Sequence, residues 1–308
     1  MMSMRIIFLG TAGSVPTNSR SLPAVLIKRQ DEQLMFDCGE GVQRQMIKAK
    51  VGFHKKMKIF ISHMHGDHVL GLLGLLQTMA LMDRQKKIEV YGPEGIKRFL
   101  EDTQEVLQFG LTFSVEIHEI YDAGVICKEK DYTVEATRSN HVIPSWAYAL
   151  VEKPRPGKFY PEKAKALSVP EGELWSRLQH GEKVKLPNGQ VVSPIEVMGS
   201  PRQGRKIVYT GDTRPFTGFV KFAVNADLVI HDSTFDDTLS EKANVDGHST
   251  PSQAAQQAKK AKAKKLVLTH ISARYADTGL LLEQAQKIFE NALVAEDFME
   301  LELPLLDS

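Results

Sequence analysis

The 308 residues are 42% apolar, enough for a substantial core in one large α/β domain or two smaller ones. Lys plus Arg (39) nearly balances Asp plus Glu (38), so no global basic field announces a nucleic acid or a membrane, and any charged site has to be local. No stretch of about 18 apolar residues predicts a membrane span, MMSMRIIFLG is too short an apolar opening for a signal peptide, and the two cysteines are too few for a disulfide framework or a thiolate zinc site, so the expectation is a cytoplasmic protein with no membrane partner.

In chain order, Met4 to Leu9 predicts a strand that breaks at Gly10-Thr11-Ala12-Gly13, and Val25 to Lys28 with Gln33 to Phe36 predicts a hairpin. Asp37-Cys38-Gly39-Glu40-Gly41 then leads into a helix over Val42 to Lys50; Asp37 is either a helix-capping or turn carboxylate or a group standing behind metal ligands. The apolar run from Lys58 to Ser62 delivers His63-Met64-His65-Gly66-Asp67-His68. Three imidazoles and a carboxylate within six residues beyond a strand end suit zinc or a similar divalent ion. His63 and His65 point one way, and after the bend at Gly66 the pair Asp67 and His68 can face a second point. Val69 to Met82 predicts a helix too apolar to lie on the surface, packed under this site.

Strand and helix then alternate: Ile88 to Tyr91, a helix over Glu94 to Gln108, strands at Ser114 to Ile117 and Tyr132 to Thr137, the latter followed by His141, and a strand at Trp146 to Val151. Between 152 and 197 the texture changes, with six of the chain's 14 prolines, and predicts a projecting arm inserted in a single domain spanning 1–308. Afterwards one theme repeats. Strands at Lys206 to Thr210, Ala226 to Ile230 and Leu266 to Thr269 each end in polar residues, at Asp212, at His231-Asp232 and at His270. Gly247-His248-Ser249-Thr250-Pro251 opens a helix over Ser252 to Lys262, and the lysine run 259–265 reads as a solvated helix face in preference to a nucleic-acid patch.

Counting ligands against need, one ion takes His63, His65 and His141, a second takes Asp67, His68 and His270, and Asp212 bridges them. Two divalent ions about 3.5–4 Å apart activate water and clamp a phosphoryl group, so the expected chemistry is hydrolysis. His54, His118 and His180 fall outside any cluster, and His231 stays between packing and a place behind the ligands.

HMHGDH, His141, TGDT, HDSTF, GHSTP and LTHISARY, together with FLGTAG, DCGEG and YGPEGIK, resemble the metallo-β-lactamase superfamily and, within it, the ribonuclease Z family of tRNA 3′-processing endonucleases, end to end. The resemblance implies a four-layer αββα sandwich and two Zn²⁺ per chain on His63, His65, Asp67, His68, His141, Asp212 and His270. It implies cleavage of precursor tRNA after the discriminator nucleotide, leaving a tRNA 3′ hydroxyl and a trailer 5′ phosphate. Asp67 is then also the proton acceptor and His248 the proton donor, with Asp232 standing where the family has a glutamate one methylene longer.

The loop that often reads Pro-x-Lys-x-Arg-Asn in the family is here Pro16-Thr17-Asn18-Ser19-Arg20-Ser21, keeping Arg20 as a substrate contact without the lysine or asparagine. In the arm, Lys153, Arg155, Lys158, Lys163 and Lys165 make a locally basic start suited to tRNA phosphates, which position rather than specify. A homodimer follows from the same resemblance. The rival readings are another phosphodiesterase or small-molecule hydrolase of the superfamily, which needs no basic arm, and a structural zinc clamp, which needs only four ligands.

Overall fold

The computed structural model describes residues 4–305. Contacts divide them into two compact units: Glu152–Arg205 forms the smaller, and the chain up to Val151 and from Lys206 to Pro304 forms the larger.

The larger unit holds two seven-stranded sheets. The first contains β1 (Met4–Gly10), β2 (Ala24–Arg29), β3 (Glu32–Phe36), β4 (Lys56–Phe60), β5 (Ile88–Pro93) and β6 (Val115–Ile120). The second contains β7 (Gly124–Lys128), β8 (Tyr132–Arg138), β9 (Trp146–Glu152), β10 (Lys206–Tyr209), β11 (Leu228–Asp232), β12 (Leu266–Thr269) and β13 (Ala292–Val294). A last strand, β14 (Glu300–Leu303), returns to the first sheet beside β1.

Period-two alternation explains the layering. Along β1, Ile7 and Leu9 join an outer core with helices α1 (Val42–Lys48), α2 (Gly66–Val69), α3 (Gly71–Leu81) and α4 (Ile96–Leu107), whereas Met4, Ile6 and Phe8 face the second sheet. Trp146, Tyr148 and Leu150 of β9 return that contact from the second sheet. An alanine-rich outer core then seats α5 (Gly218–Phe222), α6 (Pro251–Lys260) and α7 (Gly279–Gln286) on its far face. The result is the four-layer αββα sandwich, with β3, β4 and β5 parallel in one sheet and β10 to β13 parallel in the other.

Several expectations need correction. The helix expected over Val69 to Met82 is two helices joined at Leu70, and one side lies open: Leu70, Leu81 and Met82 are exposed while Leu72, Leu75, Leu76 and Met79 are buried. The strand expected at Ala226 to Ile230 is shifted toward the carboxyl end, so that His231 and Asp232 are strand residues paired with β12. Strand β7 went unread because Gly124 and the lysines around Cys127 mask its alternation.

The smaller unit has helices at Pro161–Ala166, Glu173–Gln179 and Pro194–Val197, a two-stranded pair at Val184–Lys185 and Val191–Val192, and its own core of Ala164, Val169, Leu178, Val184, Leu186, Val192 and Val197. The insert was expected over 152–197; the compact unit reaches Arg205 because residues 198–205 run back along 152–159. Bridges join Phe159 to Met198 and Arg155 to Arg202, and a bidentate pair joins Glu152 to Arg205 at 2.7 and 2.8 Å.

Gly71 shows how tightly the first sheet meets its helices. A Cβ there would lie 1.9 Å from the Gly39 carbonyl oxygen, in the turn that follows Asp37. Gly71→Ala should therefore lower the unfolding midpoint by several degrees, reflecting a cost of about 1–3 kcal/mol for a backbone that cannot move freely. Gly74→Ala meets only the flexible Gln43 amide and should be neutral or stabilising by up to about 1 kcal/mol; thermal melts of both variants check the contrast.

Candidate metal centre

Every candidate ligand follows the carboxyl end of a strand. His63, His65, Asp67 and His68 follow β4, His141 follows β8, Asp212 follows β10 and His270 follows β12. This is where parallel strands stop and side chains from separate strands can converge. Gly211, at φ +57, lets the chain after β10 approach so closely that a Cβ would lie 2.6 Å from that of Ser62. The structure brings all seven together in two groups, His63, His65, His141 and Asp212, and Asp67, His68 and His270, with a third group of Asp212, His248 and His270 overlapping both.

The distances pick out the candidate ligand atoms. His63 Nε2 lies 2.9 Å from His65 Nδ1, which lies 3.2 Å from His141 Nε2. In the second group His68 Nε2 and His270 Nε2 are 3.3 Å apart, and each lies 3.3–3.5 Å from Asp67 Oδ2 and Asp212 Oδ2. Asp212 Oδ2 is also 3.7 Å from His63 Nε2, so it touches both groups.

In the neutral rings four of these nitrogens are acceptors. His68 donates from Nδ1 to Asp37 Oδ2 at 2.7 Å, and His141 donates from Nδ1 to the Gly247 carbonyl at 2.8 Å. Ser62 Oγ gives its proton to Asp37 and accepts from His63 Nδ1 at 2.9 Å; Thr234 Oγ1 gives its proton to Asp232 and accepts from His270 Nδ1 at 2.8 Å. In the neutral form each of these rings spends its N–H outward and turns an Nε2 lone pair inward. Inside are only lone pairs and carboxylates, and the buried Asp212 Oδ1 has no hydrogen-bond partner among the described residues. Such a cluster is satisfied by a divalent cation, and its imidazole and carboxylate donors fit one.

Protonation points the same way. Burial keeps His63 well below the ordinary imidazole range, and His65 and His141 below it, in the neutral form that binds metal. Burial also opposes charge on His68, Asp67 and Asp212, yet contact overrides it: Asp212 and Asp37 raise His68, His270 and His68 hold Asp67 far below the usual carboxylate range, and His270, His68 and His63 do the same for Asp212. Without a cation, protonation of His68 is the available relief for the carboxylates around it.

Two buried carboxylates stand behind the ligands. Asp37 accepts from Ser62 N and Oγ, His68 and Tyr209 Oη, which resolves its two readings in favour of support for the ligands. Asp232 accepts from Thr213 N and Thr234, and its Oδ2 lies 2.9 Å from His248 Nδ1. The shorter side chain thus still reaches the imidazole. His248 sits beside the ligands, its ring stacked on His270 at 5.1 Å. Ser62, Tyr209 and Thr234 were missed in the sequence; Ser62 and Thr234 are near enough to His63 and Asp232 in the chain to have been suspected, whereas nothing local marks Tyr209.

Other candidates lie elsewhere. His231 is buried against Phe219 with Nδ1 donating to the Asp232 carbonyl, outside the cluster. His118 stacks on Tyr91, while His54 and His180 are exposed. Arg20 turns inward, Nη1 donating to Thr11 Oγ1 and the Ala295 carbonyl. Within the smaller unit, Lys153, Lys158, Lys163 and Lys165 are exposed and Arg155 half-buried; Lys163 lies over the Tyr160 ring, and Lys165 pairs with Glu171.

His248 is pushed up to about 9: burial opposes its charge, and Asp232 followed by Asp212 more than offsets it, with His68, His141 and His270 as the other titratable neighbours. Removing the carboxylate should therefore lower its titration midpoint. In the metal-free protein, Asp232→Asn should bring the His248 imidazole C–H resonance midpoint well below about 9, read by NMR against pH.

Known proteins agree with this geometry. A family model described as a β-lactamase superfamily domain matches residues 175–271, and one described as anti-Pycsar protein Apyc1 matches residues 4–153. The chain is 48% identical to a ribonuclease Z of Methanosarcina acetivorans, covering 98% of each, and 47% identical to one of Haloferax volcanii, covering 100% of this chain and 97% of that one. The structure of human tRNase Z, short form, aligns with a TM-score of 0.74 at 32% identity over 97% of this chain and 99% of that one. The Bacillus subtilis metallo-β-lactamase fold protein YhfI, at 18% identity and a TM-score of 0.69 over 97% of this chain and 99% of that one, shares the fold. With strand ends, converging ligands and full-length identity in agreement, the chain belongs to the ribonuclease Z family of the metallo-β-lactamase superfamily.

Proposed function

We propose that this chain is a zinc-dependent endoribonuclease that cleaves precursor tRNA on the 3′ side of the discriminator nucleotide, leaving a 3′ hydroxyl on the tRNA and a 5′ phosphate on the trailer. The observation that carries this reading is the buried ring of inward lone pairs beside an imidazole backed by a carboxylate. His63, His65 and His141 would hold one Zn²⁺, Asp67, His68 and His270 a second, with Asp212 between. Bound there, two such ions supply Lewis acidity toward a phosphodiester and lower the pKa of water.

The remaining roles belong to side chains. Asp67 Oδ2 is ionised and partly open, and accepts the proton of the attacking water. His248 gives its proton to the departing 3′ oxygen, and Asp232 positions it from Nδ1, leaving Nε2 for that oxygen. The smaller unit binds the tRNA body through Lys153, Arg155, Lys158, Lys163 and Lys165. Its charge supports this: ten Lys and Arg against six Asp and Glu between 152 and 205, in a chain of net charge +1. The enzyme acts as a homodimer in the cytoplasm; among the described residues no helix is long and apolar enough to cross a membrane, and Cys38 and Cys127 are free and buried.

Elemental analysis should find about two zinc ions per chain, and chelation should abolish cleavage of end-labelled precursor tRNA. His248→Ala should keep both ions and the precursor affinity while lowering turnover about 100-fold or more. Loss of metal in that variant would make His248 a ligand, a possibility raised by its grouping with Asp212 and His270.

The smaller unit is tested by removal. Val151 and Lys206 are already paired neighbours in β9 and β10, so replacing 152–205 by a short Gly/Ser linker closes a hairpin without deleting a ligand. The shortened enzyme should hydrolyse a small activated phosphodiester as before, bind precursor tRNA more weakly, and show a salt dependence flatter by several phosphate contacts. Unchanged precursor cleavage across a salt titration would remove this unit from substrate recognition.

A further inference from the structure

A polar pocket of about 420 Å³ lies between the loop 14–21 and helix α1, lined among others by Thr17, Asn18, Glu40, Arg44, Gln45 and Lys48. Arg44 and Lys48 are one helical turn apart, so both side chains leave the same face of α1. Both are exposed, and neither forms an ion pair among the described residues; Lys48 Nζ lies over the Phe298 ring, 5.8 Å from its centroid. With Glu40 the one carboxylate of the lining, the pocket carries a net positive charge.

Its wall is rigid and tied to the metal centre. Asp297 accepts from Thr11 Oγ1 at 2.8 Å, from Ser21 N at 2.7 Å and from Gln45 Nε2 at 2.9 Å, and Gln45 also donates to the Leu9 carbonyl at 2.7 Å. Arg20 adds its bonds to Thr11 and Ala295, and Thr17 accepts from Arg20 N within the loop. One carboxylate thus fixes the loop, α1 and the end of β1 relative to each other. At its other end the loop reaches the ligands, Ser14 N donating to Asp67 Oδ2 at 3.0 Å. Its inward arginine leaves Arg44 and Lys48 as the cations of this pocket.

We propose that this pocket holds the trailer strand, with Arg44 and Lys48 taking the phosphates beyond the one being cleaved. The proposal rests on the cleavage reading above. In that reaction the oxygen protonated by His248 stays with the tRNA and the phosphate stays with the trailer. The loop that walls the pocket contacts Asp67, where the attacking water loses its proton, and has no described contact with His248. A single-stranded backbone that follows this loop away from Asp67 would come to the pocket that Arg44 and Lys48 line. Phosphate contacts of this kind are indifferent to base identity, so the pocket would accept trailers of any sequence.

The test compares trailer lengths. Precursor tRNAs ending in a one-nucleotide trailer with a free 3′ hydroxyl carry no phosphate beyond the scissile one, whereas a five-nucleotide trailer carries several. The Arg44→Gln/Lys48→Gln double variant should raise KM about tenfold on the long trailer and lower its salt slope by about 1.4, the value for two single-strand phosphates. It should match the wild type on the one-nucleotide trailer and on a small activated phosphodiester. Equal loss on both trailers, or no loss on either, overturns the proposal while leaving the endonuclease reading intact. Wild-type enzyme that cleaves neither precursor overturns the endonuclease reading itself.

Discussion

Inward convergence of imidazole nitrogens and carboxylate oxygens, most of them buried, is the constraint to which the rest of the molecule answers. His63, His68, Asp212 and His270 are all buried, and their facing lone pairs repel one another at 3.3–3.7 Å. Nothing local in the chain would choose this arrangement. It persists because strands from two sheets end at one edge and because each ring is held from behind.

That support comes from two carboxylates, one per sheet. Asp37 follows β3 and holds His68 directly and His63 through Ser62; Asp232 ends β11 and holds His248 directly and His270 through Thr234. Each therefore sets the tautomer of two imidazoles, which decides whether a nitrogen offers a lone pair or a proton. Tyr209 of the second sheet also donates to Asp37 of the first, so sandwich packing and ligand orientation are one structure. The positive φ of Asp37 (58°) and His270 (62°) marks where backbone comfort has yielded to that demand.

Much of this was legible in the chain. Strands followed by polar residues at 63–68, 141, 212 and 270 are a local pattern, and counting ligands against coordination needs was enough to group them. What escaped notice is what local pattern cannot carry. Tyr209 reads as one more apolar strand residue, and its hydroxyl matters only because β3 lies opposite. Arg20 reads as an available cation; Asp297, 277 residues later, and the Ala295 carbonyl turn it inward. The insert was recognised by its prolines but not its full extent, since residues 198–205 take their place only by pairing back along 152–159.

The placement of β14 beside β1 bears on the order in which the protein can assemble. Met4 to Ile7 pair with Glu300 to Leu303, and the loop beside Asp67 is clamped by Thr11, Gln45 and Asp297. On the ribosome, β1 thus waits with one edge unpaired for residues made nearly three hundred positions later. Until then the Asp67 side of the centre lacks its clamp, however complete the ligand set. A chain folded only as far as His270 would hold every candidate ligand and still lack Asp297, the carboxylate that clamps the loop beside Asp67.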